Sequence, residues 1–257
     1  MLRLFGVLLS FWLFPAIATA QTALRGVDMT LPKMTEAQVT RADVEAALAE
    51  GSADFTRVWM NGLDLSGLDF TGAVLRAASL NGADLSGAQL DDAILSQAWM
   101  VGANLTGASL RGAELFQTQL SRADLSGADL TGARTAADFT KATLDGTIFR
   151  DADFSADMRN QSMGLMRGVL TSARGEGTDF TGARMSRADL EFAKLRGAVF
   201  RDTDLRMATL GGADLTGADV TGADFHNADV TSTRLKDLKG AETANLKAAK
   251  NLDRAFR

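Results

Sequence analysis

From Phe55 to Leu130, every fifth residue is large and apolar, with Leu65, Leu85, Leu105 and Leu125 among them. Two places before each stop stand Ala53, Val58, Leu63 and Leu68, then alanine from Ala73 to Ala113, with Thr118 and Ala123 following. An α-helix turns ~100° per residue, so leucines five apart would spread around every side. Gly62, Gly67, Gly72 and their successors would each cost about 1 kcal/mol inside a helix. A strand alternates its faces with period two, so an odd spacing would send successive leucines to opposite sides. Only a chain that turns once per five residues points every leucine the same way, and glycine before alanine supplies the backbone such turns need. The period predicts a coil wound around its leucines.

The units Ala83-Asp-Leu-Ser-Gly87, Ala103-Asn-Leu-Thr-Gly107, Ala123-Asp-Leu-Ser-Gly127 and Ala213-Asp-Leu-Thr-Gly217 resemble those of the pentapeptide-repeat proteins. The resemblance spans Phe55 to Leu235. It implies an all-β fold: a right-handed, four-sided parallel β-helix with one pentapeptide per side and about twenty residues per coil. Short helical caps are expected at its ends, because a bare solenoid end exposes apolar interior and unpaired edges. In such a coil the central Leu or Phe fills the interior and the alanine points inward near a corner. Coils ~4.8 Å apart would make a rod ~40 Å long.

The register slips twice. After Leu130 the next stop is Thr135, and then Ala137-Asp-Phe139, Leu144, Phe149 and Phe154 run one residue early. From Phe180 the first phase returns, so a tightened corner near Thr135 and a one-residue bulge or short loop near 157–161 are expected. Between Phe154 and Thr178 only Leu165 and Leu170 read as interior stops. Met158, Met163 and Met166 read as gap-fillers in this irregular stretch, or as an adaptable surface. Gly175-Glu-Gly177 reads as a turn; without a third glycine it is no phosphate loop.

Residues 1–20 have the form of a secretory signal: Arg3, the apolar run 4–13, Pro15, and Ala18-Thr-Ala20 as a small-residue cleavage site. The run is short for a bilayer span. Cleavage after Ala20 into a periplasmic or secreted bacterial chain is expected, with no membrane span in the mature protein. The absence of cysteine excludes disulfide and thiolate chemistry and a lipoprotein anchor. Losing Arg3 makes the formal charge of −5 one unit more negative, which suits solubility and disfavours nucleic acid as a partner. The expected organisation is signal 1–20, lead-in and capping helix 21–52, solenoid 53–237 with its irregularity at 155–178, and C-terminal cap 238–257. Pro32 is expected to keep the lead-in out of helix, and Thr40-Arg-Ala-Asp43 to cap a helix running to Gly51. Leu246, Ala249, Leu252 and Phe256 are expected to form an amphipathic lid.

Catalytic groups are sparse. His226, next to interior Phe225, should point outward, and no nucleophile elbow, H-E-x-x-H or EF-hand loop is present. No catalytic, cofactor-binding or metal-ligating residue is assigned. Asp64, Asp84, Asn104 and Asp124 should stack on one side, with Asp69 and Asp129 on the next. Such a ladder reads as turn chemistry, with a cation strip or phosphate mimic as the sharper alternative. The function expected is a non-enzymatic scaffold with an unidentified protein partner. Its candidate contacts are outward aromatics that the repeat does not require: Trp59 and Trp99, forty residues apart and so on one side, with Phe116 and Phe192.

Some pentapeptide-repeat proteins imitate B-form DNA and bind DNA gyrase. Here the leader would remove the chain from gyrase, and Arg76, Arg111, Arg150, Arg196, Arg201 and Arg206 interrupt the negative field. An enzyme with its site near 157–177 is the third reading, supported only by the tendency of loops to carry function.

Overall fold

The computed structural model describes residues 27–51, 53–155 and 167–257. Its repeat is a ladder of single-residue parallel bridges. Asp54 pairs with Val74, Trp59 with Ser79, Asp64 with Asp84 and Asp69 with Gln89, each twenty residues on, and each series continues upward. These bridges define four sides, named here in chain order: the first (Asp54, Val74, Ile94), the second (Trp59, Ser79, Trp99), the third (Asp64, Asp84, Asn104) and the fourth (Asp69, Gln89, Ser109). The β structure is thus one bridged residue per side per coil rather than extended strands. The interior stops are sealed, with Leu65, Leu85, Leu105 and Leu125 at most 1% exposed and the alanines beside them equally buried. Burying each leucine contributes about 1.5–3 kcal/mol.

The corners explain the glycines. The third residue of each turn has a positive φ, as at Gly82 (63°), while the second is not left-handed. The Ala83 N–H donates to the Leu80 carbonyl at 3.1 Å, which closes a turn of type II. Between coils, Leu65 N–H donates to Asp84 O at 2.7 Å and Asp84 N–H to Leu63 O at 2.9 Å. Threonine can replace the inward alanine because its hydroxyl donates to a carbonyl one coil below: Thr118 to Leu95, Thr147 to Leu125 and Thr203 to Phe180, each at 2.8 Å.

The first slip is a tightened corner. The bridged positions Arg134 and Asp138 are four residues apart, and Ala137 N–H donates to Thr135 O at 2.7 Å in a three-residue turn. Thr135 sits inside at the stop position, fully buried. The second slip differs from the one-residue bulge expected. Asp153 on the first side and Val169 on the second are sixteen residues apart, where five would serve. The insertion is therefore eleven residues, and a period of five cannot distinguish eleven from one. The surplus corresponds in length to residues 156–166, so the place expected for the bulge, Leu165 and the three methionines lie outside the described residues. Gly168 N–H donates to Phe154 O at 2.9 Å, so the chain rejoins the coil where it left.

Gly175 corrects the reading of a simple turn: it occupies an interior stop, and only Gly177 is the turn residue, with φ 66°. A side chain at 175 would collide with the Thr178 hydroxyl and crowd Leu144. The coil beneath places Phe139, Phe149 and Phe154 inside, and Phe149, Phe180 and Phe200 stack upward at 5.3 and 4.9 Å.

The ends also differ in part. Pro32 starts a helix, α1 (Pro32–Thr35), rather than preventing one, because proline is well suited to the first helical turn. Helix α2 (Arg41–Ala49) begins at a reciprocal capping box between Thr40 and Asp43 and buries Val44 against the first coil. The C-terminal tail is not an amphipathic lid. It continues the winding through two 3-10 turns, Leu246–Ala248 and Leu252–Arg254, and bridges Asp229 with Lys250 and Arg234 with Phe256. Leu246, Ala249 and Leu252 pack against the core, whereas Phe256 is 61% exposed. The signal segment lies outside the described residues.

Leu105→Asp is expected to abolish cooperative folding, because it buries an unpaired carboxylate. Asn104→Ala is expected to cost about 1 kcal/mol, through loss of the bond that Asn104 accepts from Thr106 N–H at 3.1 Å. Thermal melts of both variants check the register, and equal shifts would refute it. Circular dichroism should show β structure with a minor helical share.

Candidate interaction surface

The aspartates of the ladder are turn residues. Asp64 Oδ1 accepts from Ser66 N–H at 3.0 Å, Asp84 from Ser86 at 2.9 Å, Asp124 from Ser126 at 2.9 Å and Asp129 from Thr131 at 2.9 Å. Where serine or threonine follows, its hydroxyl often donates to the same oxygen, as Ser66 does at 2.6 Å. The second oxygen is then available to arginine. Arg111 reaches Asp129 Oδ2 at 3.1 Å, Arg150 reaches Asp179 at 2.7 Å, and Arg201 reaches Asp219 at 2.7 Å. Partial burial alone would raise the Asp179 carboxyl. The bonds from Thr181 and the Arg150 guanidinium outweigh that and hold it below its ordinary value.

Trp59 and Trp99 stand on the second side, two coils apart with Ser79 between them, and both are half-buried. Phe116, also half-buried, lies on the corner leading onto that side one coil above Trp99. Phe192 lies four coils beyond the Trp99 rung, at the corner after that side. It is 55% exposed with φ 58°, and its ring occupies the space over Gly212. The structure therefore brings the two tryptophans and Phe116 to one region and leaves Phe192 apart.

The bare five-residue period gave no reason to single out their surroundings. From Trp59 to Ser121 the outward positions of the second side and its following corner carry no charge; the first cation is Arg122. Val74 and Ile94 extend the apolar character onto the first side. The signal was legible only after the sequence is cut into coils of twenty and read by column. The lead-in borders this surface: Gln38 N–H donates to Trp59 O at 2.9 Å, and the Asn61 amide donates to Lys33 and Glu36 carbonyls at 3.1 and 2.7 Å.

A shallow open cavity of about 320 Å³ lies by Phe192, lined by Glu191, Thr209, Asp229 and Thr231 among others. Burial and the neighbouring Asp189 charge push the Glu191 carboxyl up, against the pull of Arg167. Within the lining the Thr231 hydroxyl and N–H both donate to Asp229 Oδ1, at 2.6 and 2.9 Å, which is the same turn chemistry as elsewhere on the rod. His226 is exposed, its backbone N–H bonded to Asp224 at 2.9 Å. Among the described residues no group of three or more His, Cys, Asp or Glu could hold a metal ion, and no helix is long and apolar enough to cross a membrane.

A family model described as pentapeptide repeats matches in eight copies, over residues 52–87, 60–97, 69–107, 98–134, 169–202 and 198–237. The unmatched stretch coincides with the shortened corner and the insertion. Comparison with curated proteins finds no match. Among solved structures the chain is similar to HetL from the cyanobacterium Nostoc sp. strain PCC 7120, a pentapeptide repeat protein involved in heterocyst differentiation regulation. The two are 26% identical, with a TM-score of 0.51, over 86% of this chain and 100% of that one. QnrB1, a plasmid-mediated fluoroquinolone resistance protein, is 18% identical with a TM-score of 0.38, over 75% of this chain and 92% of its own. A pentapeptide repeat protein of the Arabidopsis thaliana thylakoid lumen is 30% identical over 51% of this chain and 66% of its own, with a TM-score of 0.18. With the ladder of twenty-residue coils and the match over more than half of its length, the chain belongs to the pentapeptide-repeat family.

Proposed function

We propose that the protein is an exported, non-enzymatic scaffold: a right-handed four-sided β-helical rod that binds a protein partner through its second side. The uncharged strip around Trp59, Ser79 and Trp99 carries this reading. Partners desolvate apolar and aromatic groups at low cost, and a few such anchors dominate most interfaces. HetL, alike over its whole length, is involved in heterocyst differentiation regulation, and a non-enzymatic role of that kind is the reading carried from it to this chain. The signal-like residues 1–20 support export to the periplasm or beyond. A gyrase-binding DNA mimic is the second reading. The arginines that bind aspartates on the fourth side weigh against it, because they offset the phosphate-like charge of Asp129, Asp179 and Asp219.

The double substitution Trp59→Ser with Trp99→Ser tests the strip. Binding to the partner captured from the source organism's periplasmic extract is expected to fall at least about tenfold, with a melting temperature little changed. A large loss of thermal stability with capture intact would show that the tryptophans belong to the fold alone. For export, mass spectrometry of protein recovered from a periplasm should find a chain beginning at Gln21. A full-length cytosolic product would favour the gyrase reading and call for a supercoiling assay.

A further inference from the structure

Charge is distributed differently on the third and fourth sides. On the fourth, Arg111, Arg150 and Arg201 each bind an aspartate of the next coil, so acids and bases alternate as it rises. On the third, the signs are segregated along the rod. Its rungs read Asp64, Asp84, Asn104 and Asp124, then Thr143, then Arg174, Lys194, Asp214 and Arg234. Arg196 and Lys236, just past interior stops, add cations to the upper half, and Glu176 and Asp237 at the same corner add two anions, so the upper half is basic by excess rather than throughout. Among the described residues Asp84, Asp124, Arg174 and Lys194 form no ion pair; Arg41 of α2 binds Asp64 at 3.1 Å, and Asp214 lies near Arg196 and Arg234 at 3.4 and 3.9 Å. Asp124, Arg174 and Lys194 are exposed.

We propose that the third side is a self-complementary surface on which a second copy of this chain docks antiparallel. Thr143 has four rungs below it and five above, the charged ones ending at Arg234 and the tail's Phe256 lying beyond them. A two-fold axis lying across the rods between the two faces, at the level of Thr143, sets Asp124 of one copy against Arg174 of the other. The same operation sets Asn104 against Lys194 and Asp64 against Arg234. A two-fold interface repeats every such contact, so each attraction counts twice. A parallel arrangement would set acid against acid. Three like-charge meetings remain. Asp84 faces Asp214, whose charge Arg196 and Arg234 already offset, and at the two corners of the Thr143 rung Lys141 and Asp145 each face their own copies. The face permits close approach, since its following corner is glycine in eight successive coils from Gly67 to Gly217, and Ser66, Ser86, Thr106 and Ser126 beside them are short. A strip ~40 Å by ~10 Å buries roughly 800 Å² in all, the range of weak, transient contacts. Electrostatics must then supply much of the affinity, and salt must weaken it.

Sedimentation velocity of the purified protein at about 0.02 M and about 0.5 M salt reads this directly. A concentration-dependent dimer at low salt that dissociates at high salt is expected. Asp124→Arg alone and Arg174→Asp alone should each weaken pairing at least about tenfold, and the two together should restore it. Arginine and aspartate both occupy equivalent rung positions elsewhere, at Arg234 and Asp214, so the fold accommodates either; thermal melts check this. Asp145→Asn should strengthen pairing. A protein that stays monomeric at low salt would overturn the proposal. So would a dimer insensitive to the single changes, or one that the double change fails to restore.

Discussion

The stacking of one coil on the next, in register, is the constraint on which the rest of the structure depends. A lone coil leaves most of its backbone N–H and C=O groups unpaired and its leucine open to solvent on two sides. Both needs are met by an identical coil one repeat away, as in the bonds from Leu65 to Asp84 and from Asp84 back to Leu63. Register also explains which departures the rod accepts. The four-residue step from Arg134 to Asp138 shortens one corner, yet every later bridge still forms, because Thr135 holds the interior position and the three-residue turn absorbs the loss. The eleven-residue insertion is tolerated for the same reason: Phe154 and Gly168 meet, so the coil closes around it.

The aspartates show how one residue type serves two levels of the structure. One carboxylate oxygen completes the turn by accepting from the residue two places on, and the other projects outward. Where arginine follows an interior stop, as Arg150 and Arg201 do, that second oxygen joins neighbouring coils. Exposed pairs of this kind contribute little each, so their main effect is on the field the rod presents. Replacing arginine by serine or threonine at that corner, as along the lower third side, leaves Asp84 and Asp124 without an ion pair among the described residues and makes that surface polar in the electrical sense.

The uniform interior thus frees the exterior to vary, and the four sides have become different surfaces. The second side is uncharged from Trp59 to Ser121 and carries tryptophan, the third has an acidic lower and a mainly basic upper half, and the fourth pairs aspartates with arginines of the preceding coil. A column of outward residues is read along the rod at intervals of twenty, so substitution at one position per coil is enough to create a surface without disturbing the core. Partner binding is a natural use for such an architecture, because its fold requires almost nothing of three positions in every five.

The sequence by itself determined the winding. Apolar residues every five places, with alanine two before and glycine at the corner, admit one arrangement that buries them all, and the inward positions of Leu65 to Leu130 were legible from that alone. The capping box at Thr40 was legible too, since its bonds are local. Four features were decided only by tertiary structure. Periodicity counts modulo five, so it could not tell an insertion of one residue from one of eleven. Gly175 looked like a turn because glycine marks turns, but Thr178 and Leu144 left its interior position no room for a side chain. Pro32 began a helix because its missing N–H is not needed in a first turn. The tail from Gly240 wound onward instead of folding over as a lid because the open edge at Asp229 and Arg234 offered backbone partners that a detached helix would have left unpaired.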